Sequence, residues 1–151
     1  MQSDGAVTRV LVVAHRTAAT EPLLKAVRER ASRGRCMFTL LVPNPVHGFA
    51  RALDPDDADE DEARGTIERA LPRLSEAAGG PVEGIIGVAD PSAAVQDALN
   101  IRGFDEIIIS TLSPRISRWL KLDLPSKLSG LGVPITTITP ADREEQVSTA
   151  A

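Results

Sequence analysis

The sequence predicts an α/β fold, a doubly wound parallel sheet of five strands. Three observations carry it. Apolar runs alternate with amphipathic helical segments along the chain. The first run, "TRVLVVA", is continuous rather than alternating, the mark of a strand buried on both faces. Hydrophobic residues make up 42% and charged residues 25% of the 151, enough for one cored domain. Aromatics are only 3%, so that core has to be aliphatic.

The elements follow in order. Thr8–Ala14 is the first strand, and "TEPLLKAVRERASRG" is the first helix, with Thr20 as N-cap, Glu21 in the first turn and Gly34 after the end. Leu23, Leu24, Val27 and Ala31 form its apolar face. Cys36–Val42 is the second strand, with Cys36 expected as a small buried hydrophobe. A loop, "PNPVHGFARALDPDDADEDE", comes next. Its acidic run from Asp54 to Glu62 lacks an EF-hand spacing and reads as a solvated helix start. In the helix that follows, Ala63, Ile67, Ala70, Leu71, Leu74 and Ala78 share one side, and Pro72 is expected to kink or interrupt it. Val82–Val88 is the third strand. Asp90 and Pro91 then open a helix buried through Ala94, Val95, Ala98 and Leu99. "FDEIIIS" is the fourth strand and Pro134–Thr139 the fifth. The domain is expected to span 8–140, with residues 1–7 and 141–151 disordered.

Several classes of function fall away. A net charge of −4 and the lack of aromatic platforms argue against nucleic acid. A single cysteine excludes an internal disulfide and a multi-cysteine zinc site, and points to a reducing compartment. The five apolar residues "VLVVA" are too few for a signal peptide or a membrane span, so a cytoplasmic location is expected. No G-x-S-x-G or H-E-x-x-H motif accompanies the two histidines, His15 and His47.

In doubly wound sheets ligands sit beyond the carboxyl ends of the strands, where the strand order reverses. Here that crevice lies between the first and fourth strands. The loops "AHRT" and "STLSPR" flank it. Ser110, Thr111, Ser113 and Ser117 could donate hydroxyls to an anion there, with Arg115, Arg118 and Lys121 to neutralise it. Alternatively, Ser113–Pro114 caps a short helical turn. Trp119, with Ile116 and Leu120, makes an apolar patch suited to packing on the sheet or to a protomer contact.

Three pieces together resemble the universal stress protein family: "GVADPSAAVQDAL", "FDEIIISTLS" and "GVPITTI". The resemblance implies a Rossmann-like, adenine-nucleotide alpha hydrolase-like fold with strand order 3-2-1-4-5. ATP-binding members of that family resemble one another in a motif G-x-x-G, nine residues, G-S/T. Laid on this chain, its glycines fall on Ser110, Ser113 and Asp123 and its final Ser/Thr on Leu124. The family's Asp after the first strand falls on His15. Ala14, Arg16 and Val42 are further ligand-binding candidates. A carboxylate at Asp123 would repel phosphate and could itself cap the helix. The expectation is therefore a non-enzymatic regulatory or stress-response module without a cofactor. An adenine-nucleotide binder using Ser, Thr and Arg is the alternative, for ATP or AMP. The resemblance also implies a homodimer through the final strand, with Ile135 and Ile138 at the contact.

Overall fold

The computed structural model describes residues 7–44, 55–112, 117–121 and 123–139, with residues 55–61, Arg118 and Lys121 in their backbone only. The strands are β1 (Thr8–Val13), β2 (Cys36–Pro43), β3 (Glu83–Gly87), β4 (Glu106–Ser110) and β5 (Ile135–Ile138). The helices are α1 (Glu21–Ser32), α2 (Pro55–Ala78), α3 (Pro91–Ile101), α4 (Arg118–Lys121) and α5 (Leu124–Ser129). The strands form one parallel sheet in the order β3-β2-β1-β4-β5, as expected. The ends expected to be disordered, 1–7 and 141–151, lie outside the described residues except for Val7.

Strand geometry explains why the apolar runs are nearly continuous. Successive side chains point to opposite faces, so a strand covered on both sides needs apolar residues at every position. Val10, Val12, Phe38, Leu40, Val42 and Ile108 face α1 and α2. Leu11, Val13, Leu41, Ile107 and Ile109 face α3 and α5. Most of these side chains are fully buried.

The helix signals act locally. Asp90 Oδ2 accepts from the Ala93 N–H at 3.1 Å, and Pro91 fills the first turn, where no N–H is needed. α1 begins after Thr20, but the Thr20 side chain makes no cap bond and instead donates to the Thr17 carbonyl. α2 starts at Pro55, so the acidic run is a helix start as expected, at the end the dipole favours, and the loop before it is shorter than the sequence suggested. Two expectations need correcting. The helix runs unbroken through Pro72. Proline removes one backbone bond, and the apolar face formed by Ala63, Ile67, Ala70 and Leu74 holds the helix together across that loss. Cys36 is half-buried rather than buried. Loss of solvent raises its thiol pKa, while the nearby Arg30 works the other way.

β3 lies between helices on both faces, and its glycines make that possible. A methyl group on Gly84 would collide with Ile67 of α2. One on Gly87 would lie 2.6 Å from Ala94 Cβ of α3 and 2.9 Å from Leu41 Cδ1. Gly87→Ala is therefore expected to destabilise the protein by about 1–3 kcal/mol through overpacking. Denaturant unfolding checks it; an unchanged midpoint would mean that α3 can retreat.

At the other end of the sheet, Arg30 of α1 forks onto Glu106 of β4, at 2.9 and 2.6 Å. This hydrogen-bonded guanidinium holds the Glu106 carboxyl below the usual range. A carboxyl with a lowered folded-state pKa adds stability above its unfolded pKa and loses it as pH falls through the folded value. Glu106→Gln should cost about 1–2 kcal/mol at neutral pH. The gap from wild type should close as pH drops below the usual carboxylate range. Chemical unfolding of both proteins at neutral and acid pH decides this, and a gap independent of pH would disprove it.

Candidate functional site

The β1–α1 turn and the end of β4 are bridged by two hydroxyls. Thr17, in the turn after β1, donates through Oγ1 to the Ser110 carbonyl at 3.0 Å, and Ser110 Oγ donates back to Thr17 Oγ1 at 2.6 Å. Both residues are buried. Backbone bonds fix the turn itself, Ala18 N–H to the His15 carbonyl and Thr20 N–H to the Thr17 carbonyl. The turn is thus fastened to the end of β4 at the place where the sheet changes direction.

The other loop hydroxyls are also engaged inside the protein. The Thr111 N–H donates to the Ile138 carbonyl at 2.9 Å, and Thr111 Oγ1 lies 3.2 Å from Thr139 Oγ1. Ser117 is buried, and its Oγ accepts from the Leu120 N–H, capping α4. Ala14 and Val42 are fully buried, and Val42 belongs to the core on the α1–α2 side. Trp119 packs against the opposite core, as expected for a packing residue. Ser113, Pro114, Arg115, Ile116 and His47 lie outside the described residues, as do the side chains of Arg118 and Lys121.

Asp123 and Leu124 mark where the last glycine and Ser/Thr of the nucleotide motif would fall. Asp123 has φ 60° and ψ 43°, the only non-glycine residue with positive φ among the described residues. That is the left-handed region, which glycine enters without strain. The backbone thus keeps a conformation suited to glycine, while the side chain is exposed and makes no cap bond to α5. This corrects the expectation that Asp123 caps the helix with its side chain. Leu124 is fully buried among the residues of α3 and α5 and belongs to the core.

His15 and Arg16 face elsewhere. With Ala18, Ala19, Glu62, Thr66, Arg69 and Ala70 they line a cavity of about 280 Å³ between the β1–α1 turn and α2. The α2 residues recur at helical spacing, one stripe along its side. His15 Nε2 lies 3.6 Å from Glu62 Oε2, and the histidine side chain is largely buried. Sequence reasoning named His15 and Arg16 but missed Thr17, Thr66 and Arg69. Thr66 and Arg69 read as the polar side of an amphipathic helix, and nothing local marks them as neighbours of the turn.

No protein-family model matches the chain, and no curated protein matches it. Solved structures do. A universal stress protein from Archaeoglobus fulgidus matches with a TM-score of 0.62 at 17% identity, over 91% of this chain and 98% of its own. A universal stress protein family protein from Arabidopsis thaliana with AMP bound matches at 0.62 and 14%, over 91% and 94%. Universal stress protein UspA from Lactobacillus plantarum matches at 0.64 and 17%, over 89% and 97%. At these identities the likeness is one of fold. The chain has the fold of the universal stress proteins, built here with the Thr17–Ser110 pair joining the β1–α1 turn to β4.

Proposed function

We propose that this chain is a universal-stress-protein-like regulatory module, non-enzymatic, that does not bind ATP in the family's usual mode. The observation that carries this is the Thr17–Ser110 hydroxyl pair across the crevice. A phosphate entering there would have to break two buried hydrogen bonds, each of which leaves a partner unsatisfied at about 1–3 kcal/mol. Leu124 adds no hydroxyl, and Asp123 brings a negative charge to the position of the motif's last glycine.

A second reading, an adenine-nucleotide binder, has one observation in its favour. The left-handed backbone at Asp123 retains the path that a glycine would give. The Arabidopsis thaliana neighbour, which carries AMP, makes AMP the ligand to try.

Thermal unfolding separates the two. Ligand at about a hundred times its dissociation constant adds about 2.7 kcal/mol, an obvious shift for a chain of this size. Millimolar ATP with magnesium is expected to move the melting temperature by less than about a degree, the signature of ligand at or below its dissociation constant. A clear, saturable shift with AMP or ATP would replace the first reading with the second.

We further propose a homodimer through β5. The strand lies at the sheet edge and carries no charge between Pro134 and Pro140, and an uncharged edge invites pairing. Ile135 and Ile138 are half-buried against the chain's own two cores, on opposite faces, so they suit the contact less than the backbone does. The Ile107 N–H donates to the Pro134 carbonyl and the Thr111 N–H to the Ile138 carbonyl. In a parallel ladder these bonds alternate along the strand, so the N–H of Thr137 points away from β4. Thr137→Pro should block edge pairing while sparing the ladder. Light scattering at micromolar concentration should give a dimer for wild type and a monomer for the variant. A monomeric wild type, or a variant that still dimerises, rules out the β5 contact.

A further inference from the structure

Two arginines in the lining of the cavity between the β1–α1 turn and α2 have no acidic partner among the described residues. Arg16 and Arg69 line it, both are exposed, and neither makes an ion pair or hydrogen bond among the described residues. By contrast Arg28, Arg30 and Arg102 each hold a carboxylate within 2.6 Å. The Arg69 guanidinium lies back over Gly65, so that a methyl there would meet its Nη1 at 3.2 Å. Glu62, the one carboxylate in the lining, already faces His15 at 3.6 Å. The rest of the wall is Thr66, with its side chain buried, and the small apolar residues Ala18, Ala19 and Ala70.

We propose that this cavity is a binding site for a small phosphate monoester. Two guanidinium groups match a dianionic head, and their planar donors suit phosphate oxygens. A cavity of about 280 Å³ falls just below the range of about 300–1,000 Å³ for drug-sized ligands. It admits a phosphate and a body of a few carbons, for which the three alanines provide an apolar wall. The site lies on the α1–α2 side of the turn, outside the β1–β4 crevice. It takes in His15 and Arg16, two of the candidate ligand-contact positions of the sequence, so AMP is among the probes.

The test is a titration of the isotope-labelled protein, followed by NMR at the amides of His15, Ala19 and Thr66. The probes are inorganic phosphate, glycerol phosphate, malonate and AMP. Glycerol phosphate is expected to shift these amides saturably at millimolar concentration, more tightly than inorganic phosphate, with malonate weaker than both. Arg16→Gln and Arg69→Gln should each weaken glycerol phosphate by about tenfold, the value of one charged hydrogen bond. Glu62→Gln, which removes a repelling charge, should tighten it. Unchanged amides elsewhere show that each variant is folded. Absence of a saturable shift, or binding that survives the double arginine variant, overturns the proposal. So does malonate binding as tightly as glycerol phosphate, or a response to AMP alone.

Discussion

The hydroxyl pair of Thr17 and Ser110 determines what this sheet can offer a ligand. Each hydroxyl has one proton to give, and each gives it to the other residue, Thr17 to a carbonyl and Ser110 to the threonine oxygen. Both are buried, so neither can exchange its partner for water without loss. The pair joins residues 93 apart in sequence and draws the β1–α1 turn onto the end of β4. Parallel sheets with both faces covered leave only the strand ends for binding. The pair lies at the end where the order reverses, and the same turn presents His15 and Arg16 toward α2.

The segment after β4 sets a glycine-like backbone path beside a different side chain. A glycine at the start of the last helix would serve two purposes, permitting positive φ and admitting an anion close to the backbone. Asp123 keeps the first and opposes the second. Aspartate tolerates the left-handed region better than most residues, so the turn survives the exchange at modest cost. Leu124 completes the change. Its side chain joins Leu128, Ala94 and Val95 in the core, so α5 is held by packing on the sheet. A residue in that role is no longer free to serve a phosphate.

Much of this fold is written in local signals. Asp90–Pro91 announces α3 by a cap and a residue that needs no N–H, and both do what their chemistry suggests. The apolar runs mark β1, β2 and β4 because the doubly covered middle of the sheet leaves no polar alternation to confuse them. Signals of that kind fail where partners are distant. Ser110 and Ser117 looked like donors awaiting an anion, but one is matched by a threonine far earlier in the chain and the other caps α4. A hydroxyl's availability depends on what the fold sets beside it, and periodicity carries no information about that. The unbroken passage of α2 through Pro72 has the same origin, since packing on the sheet outweighs one missing bond.

Charge placement points the same way. The chain is acidic overall, at −4, and Arg28, Arg30 and Arg102 each hold a carboxylate at 2.6 Å. Arg16 and Arg69 have no such partner among the described residues and line one cavity. Two like charges on one concave surface repel, and the same field attracts an anion, which is the basis of the site proposed above. The hydroxyl pair and the cavity lining thus meet in one turn. Thr17 points inward to neutral hydroxyls, and its neighbours on either side are left to face solvent and α2.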